Sequence, residues 1–350
     1  MNRKKHILQL GPFPPPYGGV QTNMLTIRDE LLENGDECSI ISIVNSERTG
    51  DEKDVYHPRN PLELARLLFT LKYDVLHIHI GGNLPPRVLA LVLTGATAAR
   101  GKSVMTLHSG GYAVEKIKTA HFLTAQGFIF RRLAKIIVVN ELMTEMFVKF
   151  GVEPENIKLI PPFALSKPNK RVEIPKKFLD FWRAHKKVLL AVSALETHYD
   201  LPLQINALER VREKFPDTGL IILGSGGAEK DLRSLIASKH YAEHVFLAGE
   251  TTREVVLHLI ERSDVLLRTT IFDGDAISIR EAIFLGTPVV ATDNGMRPET
   301  VRLIPMRDGA ALETAIEELL SSGEKPEISA ADGSENIKAV LDVYEEIMRK

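Results

Sequence analysis

Short apolar runs alternate with longer helical patterns along most of the chain, and this alternation constrains the fold more than any other feature. It is typical of a parallel sheet with helices on its faces. In the first half it predicts one doubly wound α/β domain. The candidate strands there are His6–Leu10, Cys38–Val44, Val75–Ile80, Ser103–Leu107 and Lys135–Val139, and the helical patterns are Gln21–Glu33, Pro61–Leu71, Pro85–Ala99 and Glu141–Phe150.

A stretch rich in proline and lysine, Pro161 to about Lys187, interrupts the pattern and predicts a linker. Alternation then resumes and predicts a second, similar domain, so the expected domains are 1–165 and 166–334. The strands of the second are Val188–Val192, Leu220–Leu223, Val245–Leu247, Val265–Leu267 and Pro288–Thr292, with helices near Leu203–Lys214, Glu229–Ser238, Arg253–Glu261 and Ala310–Leu320. Residues 335–350 have apolar side chains at helical spacing and predict an amphipathic terminal helix.

Composition narrows the class of protein. A chain of 350 residues has room for two hydrophobic cores. Its net charge of −2 gives no global basic field for nucleic acid. The single cysteine, Cys38, lies in an apolar run and predicts a buried strand thiol. We expect a cytoplasmic location, since neither a signal peptide nor a membrane-spanning segment is evident.

The stretch 268–300 carries the clearest chemistry. An acidic loop with Asp273 and Gly274 precedes a predicted helix from about Ser278 to Leu285, and seven residues separate Asp273 from Glu281. Carboxylates suit sugar hydroxyls, while the free N–H groups at a helix start attract a diphosphate. A structural alternative is a capping box, in which Ser278 caps the helix and Glu281 folds back onto its N–H.

This stretch resembles family 4 retaining glycosyltransferases of the GT-B fold. The two acids are followed by a helix and by Gly286-Thr287-Pro288-Val289-Val290, as in that family, although Asp273, Asp275 and Ala276 replace its usual Glu, Phe and Gly. The resemblance implies two Rossmann-like domains facing a central cleft, with the terminal helix docked on the first. It also implies transfer of a sugar from a nucleotide-diphosphate donor to a saccharide or lipid-linked saccharide, without cofactor or metal.

The same resemblance implies roles for individual residues. Glu281 would hold the ribose hydroxyls and Asp273 a hydroxyl of the sugar. Backbone N–H groups around Ile277 and Ser278 would support the diphosphate and the sugar, and Gly274 would also bind the donor.

Three further positions match the family's order. Gly18 and Gly19 stand between the first strand and a helix and would lie beside the diphosphate, unless they form a plain turn stiffened by prolines. His108 follows the fourth strand, where open α/β sheets bind ligands, and would orient the sugar. Gly224 and Ser225 lie in a glycine turn that would adjoin the nucleotide base.

His77 and His79 are weaker candidates, on the argument that alternate strand residues face opposite sides of a sheet. A metal-binding role is not expected for them without acidic or cysteine partners nearby. His108 has a bland alternative as a surface histidine in a turn.

Two cations typical of the family are missing. Alignment from Val192 places Ala194 and Tyr199 where the family has an arginine and a lysine that neutralise the diphosphate. Arg268 at the end of a strand is the best substitute, with Arg280 and His198 behind it. Arg268 is equally open to a structural ion pair with Asp264 or Asp273.

Residues 115–135 mix basic and aromatic side chains. The stretch predicts either an ordinary core helix or a surface that rests on an anionic membrane, which would place the protein at the inner face of that membrane. Two rival functions also remain: a nucleotide-sugar-binding scaffold that has lost transfer, and a nucleotide-sugar epimerase of the GT-B fold.

Overall fold

The protein divides into two compact units, each built on one parallel sheet. The computed structural model describes residues 4–14, 18–44, 52–162, 165–271, 276–295, 297–323, 325 and 332–349. One unit comprises Met1–Ala164 with Gly333–Lys350, and the other Leu165–Asp332. The predicted α/β class is confirmed, and every predicted strand and domain helix named above forms within two residues of its expected ends.

The first unit holds a seven-stranded sheet in the order β3-β2-β1-β4-β5-β6-β7, with all pairs parallel. Its strands are β1 His6–Gly11, β2 Glu37–Ser42, β3 Val55–Tyr56, β4 Val75–Ile80, β5 Ser103–Leu107, β6 Lys135–Val138 and β7 Ile157–Leu159. Its helices are α1 Gly19–Glu33, α2 Pro61–Thr70, α3 Pro86–Ala98, α4 Gly110–Lys116, α5 Ala125–Phe130 and α6 Glu141–Lys149, with α13 Ser334–Met348.

The second unit holds a six-stranded parallel sheet in the order β10-β9-β8-β11-β12-β13. Its strands are β8 Lys187–Val192, β9 Thr218–Leu223, β10 Val245–Gly249, β11 Val265–Arg268, β12 Val289–Thr292 and β13 Arg302–Ile304. Its helices are α7 Lys176–Ala184, α8 Leu201–Lys214, α9 Glu229–Ala237, α10 Arg253–Arg262, α11 Ile277–Leu285 and α12 Gly309–Ser322.

Alternate residues of the central strands enter separate cores, as the period of two requires. On β1, Leu8 and Leu10 join one cluster of the first unit while Ile7 joins another. The second cluster also takes Ile337, Val340, Val343, Tyr344 and Ile347 of α13. The terminal helix therefore completes the hydrophobic core of the first unit.

The predicted linker is wrong over part of its length. Lys176–Ala184 forms α7, whose Phe178 is fully buried in the core of the second unit. Prolines before the helix and lysines along its exposed side obscure its apolar side in the sequence. This helix is part of the second unit.

The core-helix interpretation of the basic aromatic stretch is also wrong. Two short helices, α4 and α5, border an irregular segment, and Leu123 in that segment is 83% exposed. Only part of the stretch is core, since Phe130 is fully buried. Among the described residues, no helix has both the length and the apolar character needed to cross a membrane.

Candidate functional site

Two loops meet at the carboxyl edge of the second sheet, after the neighbouring strands β8 and β11. The backbone N–H of Ile271 donates to the carbonyl oxygen of His198 at 2.8 Å. The hydroxyl of Thr269 donates to the carbonyl oxygen of Tyr199 at 2.9 Å. These bonds hold the two loops together where open α/β sheets bind ligands.

Glu281 is the buried acid of this region. It lies on α11 with 5% of its surface exposed, and its Oε1 accepts a 3.4 Å hydrogen bond from Nε of Arg253. Burial raises the pKa of the Glu281 carboxyl to about 7, against the opposing effect of the Arg253 charge. A buried carboxyl with a raised pKa is typical of functional sites.

The capping-box interpretation does not hold. The residue before α11 is Ala276, the helix has no side-chain cap, and Ser278 lies inside the first turn. Glu281 contacts Arg253 instead of folding back onto Ser278. The hydroxyl of Ser278 and the carboxylate of Glu281 therefore have no shared capping role.

The beginning of α11 bears on the expected diphosphate contact. Ile277 is its first residue and Ser278 its second, so both backbone N–H groups belong to the turn that lacks intrahelical partners. Asp273 and Gly274 lie outside the described residues.

Arg268 lies at the carboxyl end of β11 and reaches the neighbouring strand. Its Nη1 donates to the carbonyl oxygen of Val192 at 2.7 Å, and its guanidinium carbon stands 4.7 Å from the centre of the Tyr199 ring. Only 8% of Arg268 is exposed. The cation thus sits below the loop that contains Ala194 and Tyr199, where the two family cations are missing.

The alternative partners of Arg268 stand differently. Asp264 lies at the opposite end of β11, where it accepts hydrogen bonds from Nζ of Lys187 at 3.0 Å and from the N–H of Val188 at 2.8 Å. An ion pair between Asp264 and Arg268 is therefore not part of this structure. Asp273, the other predicted partner, lies outside the described residues.

The glycine turn after β9 packs directly onto the loop after β8. A Cβ atom on Gly224 would lie 1.8 Å from the carbonyl oxygen of Ser193, and Gly224 has φ +134°. Glu196 places Oε1 3.1 Å from the N–H of Gly227, and Ser225 donates its hydroxyl hydrogen to Glu250. Only glycine fits at the first of these positions.

Two contacts near the site escaped the sequence interpretation. Arg253 opens α10 immediately after the Thr252 N-cap and contacts Glu281. Glu196 binds the glycine turn through its carboxylate. Both follow strands at the carboxyl edge, and that position was the available signal for them.

In the first unit, Gly18 and Gly19 stand at the start of α1. Both are exposed, Gly18 has extended backbone, and no side chain caps the helix. The N–H groups of this first turn therefore carry no side-chain cap. A conformational need for glycine is absent at Gly18, because φ is −144°.

His108 follows β5 at the same edge of the first sheet and contacts a buried histidine. Nε2 of His108 lies 3.4 Å from Nδ1 of His79, and burial lowers the pKa of His108 to about 4.

The argument that His77 and His79 face opposite sides is wrong, because residues two apart on a strand share one side. Their rings lie 3.9 Å apart. In the described part of the chain, no group of three His, Cys, Asp or Glu side chains is arranged to hold a metal ion.

A cavity of about 610 Å³ lies at the opposite, amino-terminal edge of the first sheet. Its lining includes the starts of β1 and β2, at His6 and Glu37. Ligands of open α/β sheets bind at the carboxyl edge, so we do not assign the active site to this cavity.

Comparisons with known proteins cover both units. The model of the family described as Glycosyltransferase Family 4 matches residues 17–164. That described as Glycosyl transferases group 1 matches residues 176–335.

Two relatives are similar to this chain over most of their own length. The phosphatidyl-myo-inositol mannosyltransferase of Mycobacterium leprae is 23% identical over 92% of this chain and 88% of its own. The alpha-monoglucosyldiacylglycerol synthase of Acholeplasma laidlawii is 22% identical over 81% of this chain and 80% of its own.

Among solved structures, Anabaena HepE in complex with UDP-glucose superposes with a TM-score of 0.69 at 18% identity, over 98% of each chain. This likeness establishes the fold. Since the two family models match both units in the family's order, the chain belongs to the family 4, group 1 glycosyltransferases of the GT-B fold.

Proposed function

We propose that the protein is a retaining glycosyltransferase that moves a sugar from a nucleotide-diphosphate sugar to an acceptor hydroxyl in polysaccharide or glycoconjugate synthesis. The observation that carries the proposal is Glu281, a carboxyl with 5% exposure beside Arg253 and near the carboxyl edge of the second sheet. Burying a carboxyl costs stability, and carboxyls kept in that state cluster at functional sites. The two ribose hydroxyls of a nucleotide can donate hydrogen bonds to a carboxylate at this position.

The donor diphosphate would rest on positive groups of the second unit. The N–H groups of Ile277 and Ser278 begin a nine-residue helix, and the helix dipole favours negative charge there. Arg268 adds a permanent cation at the end of β11. These groups would stabilise the leaving diphosphate without a metal ion.

Retention follows from attack on the same face of the sugar. The bond from the anomeric carbon to the diphosphate oxygen breaks, and the acceptor oxygen bonds to that carbon on the face the diphosphate leaves. The acceptor proton passes to the departing phosphate oxygen, so no protein nucleophile is required. Asp273 and His108 would hold hydroxyls of the sugar during this step.

The acceptor is proposed to be a saccharide or a lipid-linked saccharide. One relative named above acts, by its name, on phosphatidyl-myo-inositol, and the other makes alpha-monoglucosyldiacylglycerol. Other relatives carry names of colanic acid biosynthesis glycosyltransferases. Both kinds of name fit an acceptor hydroxyl on a glycan or its lipid carrier.

A lipid-linked acceptor would bring the protein to a membrane surface. Leu123 and Phe128 are 83% and 46% exposed, and Arg132 lies over the Phe128 ring at 3.6 Å. Exposed apolar side chains beside cations suit an anionic bilayer. Sedimentation with anionic and with neutral vesicles tests this contact, and Leu123→Asp should weaken it. Equal recovery of wild type and variant with anionic vesicles would exclude it.

The second candidate function is nucleotide-sugar binding without transfer. Ala194 and Tyr199 replace the usual cations, and the nearby Glu196 carboxylate occupies the N–H of Gly227. Negative charge beside the diphosphate would oppose its departure. Donor binding without turnover across many acceptors would favour this function over the first.

Calorimetric titration with UDP, GDP, ADP, TDP and their sugars tests the proposal. We expect selective binding by wild type, loss of binding in Glu281→Ala, and no change in Glu261→Ala, whose carboxylate is exposed on α10 of the same unit. Unchanged affinity in Glu281→Ala would remove Glu281 from the site. Incubating the bound donor without acceptor then separates transfer from epimerisation, since only an epimerase would change the sugar.

A further inference from the structure

A buried row of polar side chains runs from the terminal helix to His108. The hydroxyl of Tyr344 lies 2.6 Å from Nδ1 of His77, and Nε2 of His77 lies 2.7 Å from the hydroxyl of Thr106. His79 stands next on β4 and faces Nε2 of His108. All but His108 are at most 2% exposed.

His77 is satisfied at both ring nitrogens. Hydroxyl groups can either donate or accept, so Tyr344 and Thr106 suit either neutral tautomer of His77. Burial lowers the pKa of His77 well below its usual value, with a smaller effect from His108. His77 is therefore a neutral, fixed group below His79.

His79 is satisfied at only one nitrogen. Its Nδ1 lies 3.4 Å from Nε2 of His108, whereas its buried Nε2 has no hydrogen-bond partner among the described residues. The His79 and His108 rings are nearly parallel, at 22°, with centres 5.7 Å apart. With the two nitrogens facing each other, the rings meet edge to edge, which is the arrangement of a hydrogen bond.

The direction of this hydrogen bond follows from the cost of burial. If His108 donated from Nε2, neutral His79 would carry its own proton on Nε2, as a buried N–H without a partner. Orphaned buried N–H groups are rarer than underused acceptors. The lower-cost arrangement puts the proton of His79 on Nδ1, which donates to Nε2 of His108.

We propose that His79 is a positioning residue that holds His108 in its Nδ1–H tautomer, so that His108 presents a hydrogen-bond donor to an oxygen of the transferred sugar. The sugar contact rests on the proposed function, whereas the tautomer does not. His108 is the partly exposed member of the row, so its Nδ1 can meet a ligand. Burial favours the neutral ring, and the pKa of His108 is lowered to about 4.

Nitrogen NMR of histidine-labelled protein tests the tautomer directly. Two-bond proton–nitrogen correlations at pH 7 distinguish a protonated from a bare ring nitrogen, and His108→Gln assigns the His108 signal. We expect a protonated Nδ1 and a bare Nε2 on His108. A protonated Nε2 on His108 in the wild type would overturn the proposal without the need for any further variant.

Two substitutions at His79 separate positioning from packing. The amide of His79→Asn can still donate from near the position of Nδ1, so His108 should keep its tautomer. His79→Phe fills the space but cannot donate, and it should release His108 to the Nε2–H form. The same His108 tautomer in wild type and His79→Phe would contradict the proposal.

A binding experiment links the tautomer to the sugar. For the donor found by calorimetry, His79→Phe should weaken binding of the nucleotide sugar by roughly five- to tenfold, the effect of one hydrogen bond. The affinity for the free nucleoside diphosphate should not change. If His108 has the Nδ1–H tautomer in the wild type but no nucleotide binds, the proposed function is rejected and the positioning role of His79 stands. Equal loss of both ligands would contradict the sugar contact.

Discussion

Arg268 Nη1 donates a hydrogen bond to the carbonyl oxygen of Val192 across 2.7 Å, and so joins the ends of β11 and β8 through a cation. Its guanidinium lies 4.7 Å from the Tyr199 ring, at the position where the family usually has lysine. In the proposed donor site, the cation would therefore come from the neighbouring strand instead of the loop.

Arg268→Gln should weaken binding of a nucleoside diphosphate more than that of the matching monophosphate, because the charge acts on the second phosphate. A buried hydrogen bond to a charged group contributes about 1.5–3 kcal/mol, so we also expect lower thermal stability. Calorimetry on both nucleotides measures the ratio of affinities. An unchanged ratio would mean that Arg268 has only a structural role. The control is Arg302→Gln, which removes an exposed ion pair between Arg302 on β13 and Glu318.

Glu281 should make stability depend on pH. Burial raises its folded-state pKa to about 7, from an ordinary value of 4.5, so the folded protein holds an extra proton between these pH values. The stabilising contribution is complete below pH 4.5 and is lost as pH rises through 7. As pH rises from 4.5 to 7, the free energy of unfolding of Glu281→Gln should increase relative to that of the wild type by on the order of 3 kcal/mol. Urea unfolding at several pH values measures this, and a constant difference would contradict the raised pKa.

Nucleotide binding should depend on pH in the opposite direction. Ribose hydroxyls donate to the ionised carboxylate, so affinity should increase as pH rises through about 7. Affinity that stays flat over this range would separate Glu281 from the ribose.

Gly224 and Gly227 form a matched pair in the glycine turn. A Cβ on Gly224 would lie 1.8 Å from a backbone oxygen, whereas a Cβ on Gly227 would meet only the Glu196 carboxylate, at 3.7 Å. Gly224→Ala should therefore destabilise the second unit by roughly 1–3 kcal/mol or more and weaken nucleotide binding. Gly227→Ala should change neither. Equal melting temperatures for the two variants would show that the turn tolerates the displacement.

Phe178 tests whether α7 belongs to the second core. Phe178→Ala should cost about 3–5 kcal/mol, because a fully buried ring leaves a cavity. Arg183→Ala on the same helix removes an exposed ion pair with Asp180 and should have little effect. The only tryptophan, Trp182, also lies on α7, so its fluorescence reports unfolding of this unit. A loss of stability below 1 kcal/mol in Phe178→Ala would indicate that the segment is a linker and not part of the core.

The sequence predicted the two sheets well because their strands are buried on both sides. VLHIHI of β4 is buried along its whole length, and a run of six such residues is short enough to favour a strand over a helix. The strands β3 and β13 have two and three residues, so their pairing depends on neighbouring strands and leaves no local pattern.

The site was less accessible to sequence reasoning. Glu281 and Arg268 follow from the motif and its position, but the partner of each comes from a distant part of the chain. Arg253 lies 28 residues before Glu281, and Val192 lies 76 residues before Arg268. The row from Tyr344 to His79 depends on the docking of a helix, which periodicity does not predict.

The contact between His77 and Tyr344 joins residues 267 positions apart. The core of the first unit therefore depends on a helix that is synthesised after the whole second unit. A ribosome that has released the whole first sheet has not yet made the helix that covers Ile7, Met24 and Ile27. This apolar surface of the nascent first unit stays uncovered by the terminal helix while the entire second unit is synthesised. The first unit therefore cannot complete its core until the second unit and the helix that follows it have been synthesised.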